Sequence, residues 1–130
     1  MTCLQITCGA ALLACSIHAC AQDNIRFARG AATAGVSGQV STTIKTWQFR
    51  AQKNQRIKLL LEPAGENKDT LTISLYAYCG EEYGKPMASG VLQWEGPLPC
   101  SDRYTIDVTP ARAAIDTKRL LRYTLTLSLR

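Results

Sequence analysis

An all-β fold is what this sequence predicts: an antiparallel β-sandwich of about seven or eight short strands, tied by one disulfide. Three observations predict it. Apolar and polar residues alternate with period two in several runs, and turn-forming residues separate those runs. No run beyond residue 22 carries a convincing helical period. Two cysteines, Cys79 and Cys100, remain once a leader-like segment is set aside.

The leader comes first. Residues 1–22 contain no Lys, Arg, Asp or Glu, and they hold four of the six cysteines and the single histidine, His18. The apolar run GAALLAC (9–15) is followed by Ala19, Cys20 and Ala21. Small residues at those positions suit signal-peptidase cleavage after Ala21, although no Lys or Arg stands near Met1 to form the usual positive start. The run falls short of the roughly 20 apolar residues that a span needs, so no transmembrane helix is expected. A lipoprotein signal is the rival reading, with Cys20 carrying a lipid anchor if the chain is not cut after Ala21. The expected organisation is a signal peptide over 1–21 and a single β-sandwich domain over 22–130. A length of 130 residues leaves no room for two well-cored domains.

The strands follow in order. After a Gly/Ala-rich stretch at 30–38, IKTWQFRA (44–51) sets Ile44, Thr46, Gln48 and Arg50 on one face and Trp47 and Phe49 on the other. QKNQ (52–55) is a polar turn, RIKLLLE (56–62) returns, and PAGEN (63–67) breaks the run. TLTISLY (70–76) places Leu71, Ile73 and Leu75 together. Residues 89–94 form a further strand and RYTIDV (103–108) another. In 121–129, Tyr123, Leu125, Leu127 and Leu129 alternate with Thr124, Thr126 and Ser128. Between these last two, ARAAIDTKRLL (111–121) follows Pro110 and reads as a long basic loop rather than a turn or two of helix. Trp47, Phe49, Tyr76, Tyr78 and Trp94 read as core aromatics, and Tyr83 as an exposed one.

The chemistry allowed by these residues is narrow. With no His beyond residue 22, a Ser-His-Asp triad, a Cys-His dyad and an ordinary zinc site are all excluded from the domain. Cys79 and Cys100, an even pair in an exported chain, read as a disulfide. It closes a loop of about 20 residues and contributes roughly 3 kcal/mol in the chain-entropy model. No thiolate is then left for a metal. Gly30, Gly35 and Gly38 lack the spacing of a phosphate-binding loop. The adjacent Glu81 and Glu82 sit in a turn and point apart, unlike a glycosidase pair. No catalytic residue, metal or cofactor is expected, and the chain reads as a non-enzyme.

One charge pattern stands out. Arg112, Lys118, Arg119 and Arg122 fall within eleven residues, relieved only by Asp116. The plainer reading is a solvated connection kept soluble by its cations. The functional reading is a recognition loop whose guanidinium forks seek carboxylates. Aromatics are not interleaved there as stacking platforms, so nucleic acid is not an expected partner.

Several segments resemble a known family. NIRFARG (24–30) resembles its opening strand, and SGQV (37–40) its turn into a strand. WQFRAQKNQRI (47–57) resembles its aromatic-x-aromatic strand and hairpin, LPCSDRYTIDV (98–108) its L-P-x-S-G-x-Y strand entry, and residues 123–130 its closing strand. On these segments the chain resembles the periplasmic inhibitors of g-type (goose-type) lysozyme, whose domain is similar to the bacterial pre-peptidase C-terminal β-sandwich.

The resemblance implies a periplasmic protein whose partner is a g-type lysozyme or a related muramidase. That enzyme is either a host's or a rival bacterium's secreted effector, and in the second case the protein is an immunity partner. The implied target-binding residues are Arg112, matching the family's leading Arg, with Lys118 and Arg119 in support. Asp116 stands where a second Arg occurs, and Tyr83 is the exposed aromatic. The chain departs from the pattern in four further places. Asn54 and Asp102 replace glycines and are expected to keep those turns through φ > 0. Residues 41–44 are shorter and lack an aromatic, and the cysteine pair is an addition. The alternative reading is a non-inhibitory accessory sandwich that binds polysaccharide or an envelope protein.

Overall fold

The structure, a computed structural model, describes residues 23–65 and 70–130. The expected leader, with Cys20 and Ala21, lies outside the described residues. The elements run β1 (Asp23–Asn24), β2 (Thr33–Val40), β3 (Lys45–Ala51), β4 (Arg56–Pro63), β5 (Leu71–Ala77), β6 (Lys85–Val91), β7 (Gln93–Pro97), β8 (Asp102–Pro110), α1 (Arg112–Thr117) and β9 (Leu121–Leu129). One sheet has the order β1-β3-β8-β5-β6 and the other β2-β9-β4-β7. Every pairing is antiparallel except that of β1 with β3. The expected antiparallel β-sandwich is the fold observed.

The period-two pattern becomes the core directly. Trp47, Phe49 and Ala51 of β3, Leu71, Ile73, Leu75 and Ala77 of β5, and Tyr104, Ile106 and Val108 of β8 are buried. They face Ile57, Leu59 and Leu61 of β4 and Leu121, Tyr123, Leu125 and Leu127 of β9. Burying each such large apolar side chain contributes roughly 1.5–3 kcal/mol. A one-residue slip would send a whole set outward, so the register is strongly specified. Of the other aromatics expected in the core, Tyr76, Tyr78 and Trp94 are only half-buried.

Four local expectations are corrected. Residues 89–94 are not one strand. β6 ends the five-stranded sheet, the chain crosses at Leu92, and β7 joins the other sheet, with Leu61 N–H donating to the Leu92 carbonyl at 2.8 Å. Gly90, at φ 65°, supplies the backbone turn that a side chain would resist. Secondly, the Gly/Ala-rich stretch is itself strand β2. A glycine is required at Gly38, because the buried Tyr123 ring lies against it and an added Cβ would stand 2.7 Å from the ring Cζ. The opening strand expected over 24–30 is reduced to the two residues of β1, Asp23–Asn24. Thirdly, the long basic loop contains α1. Fourthly, Asn54 adopts φ 75° as expected, but Asp102 has ordinary strand backbone and works through its carboxylate instead.

That carboxylate closes one end of the sandwich. Asp102 accepts N–H donors from Arg103 (2.7 Å) and from Gly80. These bonds hold its carboxyl below the usual range, chiefly through the Arg103 amide. The Cys79–Cys100 bridge lies beside it, with Cα atoms 5.5 Å apart, as the cysteine arithmetic predicts. Tyr104 Oη donates to the Cys100 carbonyl at 2.6 Å and accepts from its N–H at 3.2 Å, while its ring stacks on Phe49 at 5.4 Å. The disulfide, the Asp102 clamp and the Tyr104 corner all serve this end.

Candidate functional site

The opposite end is built from the connections that follow β2, β4 and β8. The register places it: Val40 pairs with Leu121, Pro63 with Tyr123, and Pro110 with Leu71. Three hydrogen bonds hold the connections together. Ser41 Oγ donates to the Lys118 carbonyl (3.2 Å), Ala64 N–H to Arg122 O (2.8 Å) and Ala111 N–H to Thr70 O (2.8 Å).

α1 shapes the basic segment. Pro110 closes β8, Ala111 is the extended N-cap, and six residues then coil. The turn is held by Ile115 N–H to Ala111 O at 3.0 Å and by Thr117 Oγ1 to Ala114 O at 2.8 Å. Buried Ala114 is its anchor on the core. Lys118, at φ 55°, ends the helix with its N–H on Ile115 O. This left-handed C-cap turns the chain back toward β9.

Arg112, Asp116, Lys118, Arg119 and Arg122 are all exposed here. Among the described residues none of the four cations joins an ion pair. Asp116 stands four residues after Arg112, yet the two do not pair, so the Arg112 fork is left to solvent. Two apolar side chains missed by the sequence reading share this end. Ile44 is 54% exposed and Leu120 is 55% exposed. Leu120, with Arg119 and Arg122, lines one wall of an open depression of about 330 Å³. The polar company of Ile44 in the alternating pattern, Thr46, Gln48 and Arg50, was a signal of its exposure, although Ile44 itself precedes β3. Nothing in the sequence joined residues 41–44 to residues 111–120.

Tyr83 is 78% exposed, as expected, but it lies in the β5–β6 turn at the disulfide end. The seven residues of β5 separate the two ends, a span of about 20 Å. The structure therefore brings Arg112, Asp116, Lys118 and Arg119 together and leaves Tyr83 across the molecule, beside the Glu81–Lys85 ion pair (2.8 Å). Among the described residues no three of His, Cys, Asp and Glu gather as metal ligands, and no helix is long and apolar enough to cross a membrane.

No protein-family model matches the sequence, and neither does any curated protein. Solved structures do. The structure is similar to that of Aeromonas hydrophila PliG, a periplasmic lysozyme inhibitor of g-type lysozyme, with TM-score 0.64 and 22% identity over 84% of this chain and 96% of that one. The Salmonella Typhimurium PliG, described in the same words, gives TM-score 0.63 and 21% identity over 84% of this chain and 97% of its own. The fold is that of the PliG proteins. The pre-peptidase C-terminal domain of a Bacillus anthracis collagenase shares it more distantly, with TM-score 0.51 and 11% identity over 87% of this chain and all of that domain. On this PliG fold, Arg112, Lys118, Arg119 and Arg122 lie at one end, and the covalent bridge lies at the other, where Arg50, Lys53, Arg56 and Lys85 are exposed.

Proposed function

We propose that this protein inhibits a peptidoglycan-cleaving muramidase, a g-type lysozyme or a related secreted glycoside hydrolase, by seating its basic end in the enzyme's cleft. The observation that carries this reading is the likeness to two PliG inhibitors over nearly their whole length. A muramidase cleft holds a carboxyl group that must donate a proton to the leaving sugar. The unpaired Arg112 fork suits a carboxylate through two parallel hydrogen bonds, and pairing in a desolvated cleft holds that group ionised. A carboxylate so held cannot serve as the acid. Lys118 and Arg119 flank the plug, while Ile44 and Leu120 supply apolar surface that loses water on contact. The leader expected from the sequence and the disulfide both suit action in the periplasm, where a muramidase reaches the cell wall. If the target is a rival's effector, the same wedge makes an immunity protein.

The likeness to the collagenase pre-peptidase domain favours a second reading, an accessory sandwich that binds polysaccharide or an envelope protein without inhibiting. Turbidity clearing of peptidoglycan by a g-type lysozyme, with and without the protein, separates the two. Inhibition that Arg112→Ala weakens at least about tenfold supports the plug; a tenfold loss corresponds to about 1.4 kcal/mol. Glycan retention with undiminished lysis overturns inhibition in favour of the accessory reading.

A further inference from the structure

Each sheet has two outer edges, and an edge strand presents unpaired N–H and C=O groups on which another strand can add. Three of the four edges are guarded. β6 carries Lys85 and Pro86 and slips register against β5. β7 is five residues long and ends in Pro97. The β3 side is covered by β1, by Ile25 N–H donating to Gln48 O at 2.8 Å, and by the Lys45–Asp23 ion pair. Among the described residues, β2 has no such protection. Its eight residues include no Pro and no charge, and they pair with β9 one for one without a bulge.

The free groups follow from the ladder. Leu129 N–H donates to Ala32 O at 2.8 Å, so the even-numbered residues of β2 bond to β9. The backbone groups of Thr33, Gly35, Ser37 and Gln39 therefore point away from the sheet. A second β2, antiparallel about a two-fold axis at Val36, meets them in phase: Thr33 faces Gln39 and Gly35 faces Ser37, in both directions. About eight ladder hydrogen bonds result. The half-buried Val36 meets its own copy in the closely spaced pair, and Ala34 meets Gly38. Inward faces then coincide, and two four-stranded sheets become one.

Charge selects this occupant. The chain carries a formal net charge of +5, which opposes self-association over most of its surface. Residues 30–44 contain no charge at all. A second copy thus meets a neutral and self-complementary strip. We propose that the β2 edge is a pairing site for a second copy of this chain. A seven-residue ladder covers less than the roughly 1,200 Å² of a standard interface, so the dimer is concentration-dependent. The two strands run in opposite directions, so the basic ends point away from each other and both stay open.

Sedimentation equilibrium of the purified protein from micromolar to millimolar concentration tests the pairing, with hydrogen exchange alongside. The wild type is expected to move from monomer to dimer, with the amides of Gly35, Ser37 and Gln39 slowing in step. Ser37→Pro removes an outward N–H without touching the β9 ladder, and Ser37→Lys adds a charge on an exposed side chain. Each is expected to weaken pairing at least about tenfold while the circular dichroism spectrum stays unchanged. A monomer throughout overturns the proposal, as does a dimer that neither variant weakens. A monomer whose three amides are already protected assigns the edge to the chain ahead of Asp23 and equally overturns it.

Discussion

Gly35 and Gly38 sit three residues apart on one strand, and replacing each with alanine is expected to change stability in opposite directions. Both have negative φ, so alanine brings no backbone strain at either. Gly→Ala at a tolerant position stabilises by about 0.4–1 kcal/mol, because the unfolded chain has fewer states to lose. At Gly35 the added methyl meets only the Leu125 carbonyl oxygen at 3.9 Å, an ordinary contact, and that gain stands alone. At Gly38 the methyl would stand 2.7 Å from Tyr123 Cζ and closer still to its hydroxyl. The ring cannot yield cheaply. It is buried, and its hydroxyl accepts the Trp47 indole N–H at 2.9 Å. Overpacking costs about 1–3 kcal/mol, and an orphaned indole N–H about 1–3 more if the ring swings away. The steric loss outweighs the entropic gain, for a net destabilisation of about 1–5 kcal/mol when the ring swings away. Urea unfolding followed by tryptophan fluorescence reads both variants at dilute, monomeric concentration. Gly38→Ala as stable as wild type, or a like shift at both positions, would refute this picture of the β2–β9 contact.

Arg112→Ala and Leu120→Ser should each weaken inhibition of lysis while leaving the urea midpoint within about 0.5 kcal/mol of wild type, as expected for exposed sites. Tyr83→Ala, at the far end, should leave potency unchanged in the same assay. Replacing both Cys79 and Cys100 with Ser should cost about 3 kcal/mol in unfolding, yet leave inhibition intact while the protein stays folded. The Asp102 carboxyl titrates lower in the folded chain than in the unfolded one. Its stabilisation is therefore complete above the ordinary aspartate range and fades as pH falls through the lowered folded value. Asp102→Asn should flatten that acid limb in a pH series of thermal melts, and an unchanged slope would assign the limb to other carboxylates.

Much of the fold was legible because it is written with period two. The run from Tyr123 to Leu129 can bury one face in only one register, and Cys79 and Cys100 had no other partners once the leader was set aside. The misses share a physical cause. α1 is too short to repeat a helical period and has no side-chain cap, so its sequence matches a loop. The crossing at Leu92 was hidden because the residue between β6 and β7 is apolar and is not itself a turn former. β2 looked unstructured because Gly38 answers to Tyr123, a neighbour more than eighty positions away in the chain. The candidate site divides in the same way. Exposure of Arg112, Lys118, Arg119 and Tyr83 followed from local pattern. Their distribution between two ends, and the joining of Ser41 to Lys118, depend on strand order that one sequence does not spell out.

The passage of the chain from one layer to the other at Leu92, and again through residues 41–44, sews the sandwich along both flanks. Such a body cannot open like a clamshell, and its layers must melt as one. A target would meet a shape already set rather than one to be moulded, and little freedom would be surrendered on contact. Slow release, more than fast capture, is what a preset wedge of this kind favours.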